Sequence, residues 1–199
     1  MTAKARRPKA RAPNVRTAAV LLLRGINVVG KNQIKMDALR ALCESNGLRN
    51  VRTHIQSGNV IFRGTKKDIS GCALRMEAAI EESFGFRPAV MIRSTEEMRK
   101  VVSRNPFAKR ANIDPSRLLV SFLGKEPTRE QLQSALAIEV GPEELHILGS
   151  EMYIYYPDGV GKSKLPIGRI ERALETSGTA RNWNTVTRLL EMALESEPS

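Results

Sequence analysis

The sequence predicts an α+β protein, a tandem pair of ferredoxin-like (βαββαβ) halves with a C-terminal helix. Three observations carry this. Residues 17–93 alternate apolar runs with helix-period stretches in the order β-α-β-β-α-β. Residues 117–175 repeat that order as far as β-α-β-β-α. Between them, 94–116 reads as a connecting helix and loop. A chain of 199 residues suits one ordinary domain or two small ones in contact.

In the first half, 17–93, the run Ala18-Ala19-Val20-Leu21-Leu22-Leu23 is a strand with both faces covered. A helix over 36–46 puts Met36, Leu39, Leu42 and Cys43 on one face, and Asn46-Gly47 stops it. Strand 51–55 sets Val51, Thr53 and Ile55 on one face and Arg52 and His54 on the other. Ser57-Gly58 turns the chain into strand 60–63 as a hairpin. A helix over 68–84 carries Ile69, Cys72, Met76, Ile80 and Phe84, and strand 88–93 follows. In the connection, Ser94-Thr95-Glu96-Glu97 opens a short helix and Asn105-Pro106-Phe107 ends it.

The second half, 117–199, has strand 118–123, helix 128–137, and strands 144–148 and 152–156 about a turn at 149–151. Loop 157–163 leads to a helix over 164–175. No final strand is apparent. In its place stands 179–185, then a terminal helix to about 195. Asn182 can cap that helix, and Trp183, with Val186 and Leu190, anchors it to the core.

Residues 1–16 form a basic arm with six cations and no acid, expected to be disordered; they account for six of the net charge of +11 and leave +5 on the rest. Such an arm could touch nucleic acid without reading sequence, and it reads first as a dispensable extension. No run approaches the roughly 18 apolar residues of a membrane span. The arm and the apolar run after it mimic a signal peptide. That run is only six residues long and has no small-x-small site behind it, which argues against one. Cys43 and Cys72 fall on apolar helix faces in no metal-type spacing, so they read as buried thiols of a reducing cytoplasm.

Chemistry concentrates in three stretches. Loop 24–35 joins a strand to a helix and carries Arg24, Asn27, Lys31 and Lys35, an arrangement suited to an anion. Gly161-Lys162-Ser163 has the tail of a P-loop, but Tyr156 occupies the place of the first glycine, which argues against a nucleoside triphosphatase. Lys162, Ser163 and Lys164 remain a weaker anion site. Arg181 and Asn184 of the third stretch are left over for recognition. The turn 56–59 offers Gln56 and Asn59, either to a site or to the backbone. No cofactor motif, metal ligand set or catalytic constellation emerges: His54 and His146 are lone strand histidines.

Taking the first and third strands of each half as parallel neighbours places loops 24–35 and 64–67 at one edge, loop 157–163 on the matching edge of the second half, and turn 56–59 at the opposite edge.

These stretches resemble the bacterial family known as domain of unknown function 1697 (DUF1697). Leu23-Arg24-Gly25-Ile26-Asn27-Val28-Val29-Gly30-Lys31-Asn32, with Met36, is similar to its opening motif, with Val29 where the family usually has glycine. Thr53, Ile55-Gln56-Ser57-Gly58-Asn59-Val60 and Phe62 match a second, with His54 in place of a usual tyrosine. Gly159, Gly161 and Ser163-Lys164-Leu165 match a third, and 179–185 a fourth. The resemblance covers about 17–194 and implies a fold rather than an activity.

Three function classes follow. The first is a binding module for a phosphate-bearing ligand, nucleotide or nucleic acid, in a basic cleft between the halves. The second is an enzyme on a small phosphorylated or acidic substrate. The third is a protein–protein module. Base stacking on exposed strand aromatics, as in RNA-recognition domains, would need Tyr153 and Tyr155 to be free. Oligomeric state is not readable from these residues.

Overall fold

Strand β1, Arg16–Leu23, is covered on both faces because each face belongs to a different core. In the computed structural model, which describes residues 16–28 and 30–198, Ala19, Leu21 and Leu23 pack under helices α1 (Met36–Ser45) and α3 (Cys72–Phe84). Ala18, Val20 and Leu22 face a central core shared with the second half. The basic arm falls almost wholly outside the described residues.

The architecture is mixed α+β, with two four-stranded antiparallel sheets and seven helices among the described residues. The first sheet adds β2 (Arg49–His54), β3 (Asn59–Thr65) and β4 (Val90–Ser94), in the order β2-β3-β1-β4. The second has β5 (Leu118–Leu123), β6 (Glu144–Leu148), β7 (Glu151–Tyr155) and β8 (Gly178–Asn182), in the matching order β6-β7-β5-β8. Helices α5 (Arg129–Leu136) and α6 (Ile167–Ala173) cover its outer face over Leu123, Met152, Ile154 and Tyr156. Helices α4 (Thr95–Ser103) and α7 (Trp183–Glu195) pack on each other and close the central core with Met98, Val101, Val186 and Leu189.

The structure changes several expectations. Strand β1 runs antiparallel to β3, not parallel, with Leu22 opposite Asn59 and Arg16 opposite Thr65. The end of β1 therefore meets turn 56–59, and loop 64–67 lies at the other end of the sheet. The missing last strand exists: Gly178–Asn182 pairs antiparallel with β5. The expected helix 68–84 is two elements, a single turn α2 (Lys66–Ile69) capped by Thr65, then α3 after a break at Ser70-Gly71. The expected helix 164–175 begins only at Ile167, behind a 3-10 turn Val160–Lys162. Ile55 leaves its strand for the turn, 51% exposed and with φ of 49°.

Other readings hold. Asn182 caps α7 and Trp183 packs against the central core. Cys43 and Cys72 are buried, unpaired thiols. Tyr153 and Tyr155 point into the central core, where Tyr153 donates to the Val101 carbonyl at 2.8 Å, so neither ring is open to a base.

The register exposes a repeat that the residues hide. Val20 lies opposite Arg93, and Val120 opposite Arg181. Each arginine sits on an edge strand and reaches into the other half. Arg93 donates from Nε to Glu151 Oε1 and from Nη2 to the carbonyls of Leu123 and Ser150. Arg181 donates from Nε to Asn59 Oδ1 and from Nη2 to the carbonyls of Leu23 and Ser57. The two clasps share one geometry and differ in charge: Arg93 meets a carboxylate, Arg181 a neutral amide.

Candidate functional site

Loop 24–35 is held by its own amides. Asn27, in the left-handed region at φ 54°, accepts from the Ile34 N–H at 2.8 Å and donates to the carbonyls of Ile34 and Gln56. The Asn27 N–H donates to the Asn32 carbonyl, and Asn32 Nδ2 to the Gly25 carbonyl. The loop is thereby stitched to turn 56–59. Gly58 is required there: at φ +71°, a Cβ would lie 2.7 Å from Leu23 Cβ and 2.8 Å from Ile26 Cδ1.

Arg24, at the end of β1, crosses to the second half. Its Nη1 and Nη2 grip both oxygens of Glu171 on α6, at 2.6 and 2.8 Å, and Nη1 also donates to the Gly178 carbonyl. Glu171 Oε1 accepts in turn from the Gly178 N–H at 2.8 Å. The bidentate pair fixes the guanidinium plane. Hydrogen bonding to Glu171 raises the Arg24 pKa above the ordinary arginine value, against the opposing effect of burial. Of five N–H donors, Nε–H and one on Nη2 remain uncommitted among the described residues.

This pair stands in a cleft of about 440 Å³. Its floor is the outer face of the second sheet, with Leu119, Ser121, Ile154 and Tyr156. Loop 24–28 of the first half and Val160 and Ile167 of the second wall it. Val28 and Val160, 55% and 47% exposed, flank its mouth. Ser121 is 4% exposed, and its hydroxyl has no hydrogen bond among the described residues. It lies against Gly178, where any Cβ would sit far inside van der Waals contact with Oγ. The cleft thus offers a guanidinium with spare donors, an unpartnered hydroxyl and apolar walls.

Arg181 also lines the cleft but has nothing left to give. Its Nη1 donates to Thr179 Oγ1 and the Ala180 carbonyl, and with the three bonds across the halves all five N–H groups are used. Burial pushes its pKa down to about 10, so the charge persists at neutral pH without a carboxylate partner. Asn59, 0% exposed, accepts from Arg181 and donates to the His54 carbonyl.

The remaining residues singled out in the sequence disperse. Asn27, Lys35 and Gln56 line a separate hollow of about 470 Å³ with Gln33 and Ile34. Lys164 lines another, of about 340 Å³. Lys31, Lys162 and Asn184 are exposed. Ser163 Oγ accepts from the Leu165 N–H, closing a local turn. The structure brings turn 56–59 to loop 24–35, contrary to the expected edge, and does so through Asn27, Asn59 and Arg181.

Sequence reasoning missed Glu171 and Ser121. Both left a signal. Glu171 is a carboxylate four residues after Ile167, beside Ile170 and Leu174, on a helix that must bury that face. Ser121 is the one polar residue of the run 118–123. Among the described residues no group of three His, Cys, Asp or Glu could hold a metal ion, and no helix is long and apolar enough to cross a membrane. His146 packs edge-on against Phe107, with ring centroids 5.2 Å apart.

A family model described as "Protein of unknown function (DUF1697)" matches residues 16–153. That span holds the first two motifs and the Arg93–Glu151 clasp, and stops before Glu171 and Arg181. A solved structure of a conserved bacterial protein from Streptococcus pneumoniae is similar in fold, with a TM-score of 0.68 and 22% identity over 89% of this chain and 99% of that one. No curated protein matches the chain.

Proposed function

The chain belongs to the DUF1697 family, and we propose that it is a binding module for a small phosphate-bearing ligand held in the cleft between its two ferredoxin-like halves. The observation that carries this reading is Arg24. It keeps two N–H donors at the wall of a cleft that is otherwise mostly apolar. An anionic head seated there would gain charge-assisted hydrogen bonds where little water competes. Ser121 supplies a second polar handle, and Leu119, Ile154, Val160 and Ile167 receive an apolar or aromatic body. A nucleotide or a phosphorylated metabolite has both parts. Lys162 and Lys164, on the loop leading to α6, add positive potential that steers such a ligand inward. The two unpaired thiols support a reducing, cytoplasmic setting.

The test is thermal denaturation of the full chain with inorganic phosphate, nucleoside monophosphates and sugar phosphates. Saturation at about 100 times Kd adds about 2.7 kcal/mol to stability. The reading expects one compound class to raise the melting temperature, with the shift lost in Arg24→Ala and reduced in Ser121→Ala. If none of these anions shifts the transition, the proposal fails.

A further inference from the structure

Loop 137–143 and segment 164–169 line a further hollow, of about 340 Å³, walled by Glu139, Gly141, Glu143, Lys164, Pro166 and Arg169. Glu143 is only 7% exposed, yet its carboxylate makes no hydrogen bond or ion pair among the described residues. A buried carboxylate without a partner is costly to the fold. Arg63 Nε is the only enclosed side-chain polar atom without a partner among the described residues, so the Glu143 oxygens must keep an opening. Gly141 shows where it lies: a Cβ on that residue would stand 3.2 Å from Glu143 Oε2, and Gly141 is part of the same cavity wall. Tyr156 is close by. Its hydroxyl is pushed up to about 12, first by burial and then by the Glu143 charge. Tyr156 also lines the main cleft.

The charges on this wall have both signs. A bare metal ion is disfavoured, because no third ligating side chain joins Glu139 and Glu143 while Lys164 and Arg169 stand against it. An inorganic anion is disfavoured by the two carboxylates. A molecule with an ammonium and a carboxylate a few ångströms apart satisfies both sets, and the volume lies at the small end of ligand cavities, about 300–1,000 Å³. We propose that this cavity binds a small zwitterion of the amino-acid class, with its ammonium on Glu143 and its carboxylate facing Lys164 and Arg169.

The experiment uses the full chain and free L-α-amino acids, tested singly by thermal shift and then by calorimetric titration. N-acetylated and carboxamide forms of any binder are compared. The expected result is saturable binding of at least one amino acid, abolished by N-acetylation and weakened by amidation. Glu143→Gln should lower the affinity at least about tenfold, the equivalent of 1.4 kcal/mol, and Lys164→Ala should weaken it less. Glu143→Gln should also keep or raise the melting temperature of the parent, since it removes a buried charge and breaks no internal bond. No binding of any amino acid, equal binding of the N-acetylated form, or unchanged affinity in Glu143→Gln overturns the proposal. So does a marked loss of stability in Glu143→Gln, which would make the carboxylate a structural group.

Discussion

The two arginine clasps should respond differently to the same substitution. Arg181→Met removes five donors. The Leu23 carbonyl keeps a bond from Thr179 Oγ1, and Ala180 is exposed, so water serves its carbonyl. Asn59 Oδ1, in a residue 0% exposed, and the Ser57 carbonyl lose this partner. Two such orphans cost about 2–6 kcal/mol. Against this, burial of the charge lowers Arg181 from 12.5 to about 10, and removing that charge returns about 3 kcal/mol. The net effect runs from a gain of about 1 kcal/mol to a loss of about 3 kcal/mol. Arg93→Met has no such return. It strands the Glu151 carboxylate, whose side chain is 15% exposed, and should cost about 3–5 kcal/mol. Urea unfolding of both variants at neutral pH, with two-state fits and unchanged slopes, measures the difference. The reasoning is refuted if Arg181→Met proves the more destabilising of the two.

Gly58→Ala should cost about 2–4 kcal/mol, from the left-handed backbone and the collision with Leu23 and Ile26, and an unfolding midpoint equal to the parent's would contradict it. Asn27→Ala loses three hydrogen bonds and should loosen the loop by about 1–3 kcal/mol; hydrogen exchange should quicken at 25–34 and 56–58 while β5 stays protected. Burial pushes Cys43 up to about 12 and Cys72 up to about 11, from an ordinary value of 9.0. Both folded values lie above the unfolded one, so their contribution is complete below pH 9 and is lost as pH rises toward 11–12. Denaturation between those limits should show a falling stability that Cys43→Ala flattens, and neither thiol should react with a disulfide reagent until the chain unfolds.

Most of the elements were legible because their cores impose period: Met36, Leu39 and Cys43 on α1, or the unbroken apolar run of β1, could be little else. Strand β8 was not, because Gly178-Thr179-Ala180-Arg181-Asn182 is an edge strand with a single neighbour and almost no apolar residue. Arg181 read as a ligand cation for the same reason. A sequence shows a charge but not its burial, and the acceptors come from Leu23, Ser57 and Asn59, more than 120 residues away. Strand direction was misjudged although the element order fixes it: a crossover through α1 returns β2 parallel to β1, and the hairpin then sends β3 antiparallel. With β3 reversed, turn 56–59 moves from the far edge into contact with Arg181. No motif marks Glu171 or Ser121, although each interrupts an apolar face that the fold must bury.

The crossed arginines imply something about the chain in pieces. The central core draws on β1, β3 and β4 from one half and on β5, β7 and α7 from the other. A polypeptide severed in the loop between α4 and β5 would yield two fragments, each with a bare apolar sheet face. Mixed, they should reassemble as a heterodimer whose stability rises with concentration. Two copies of the first fragment would set Arg93 against Asn59 and forgo the carboxylate that Glu151 supplies. Two copies of the second would set Arg181 against Glu151 and gain it twice, so the arginine pairs balance between like and unlike dimers, and the fit of side chains across the central core is left to sort the partners, a role that the intact chain, with its halves tethered, never has to reveal.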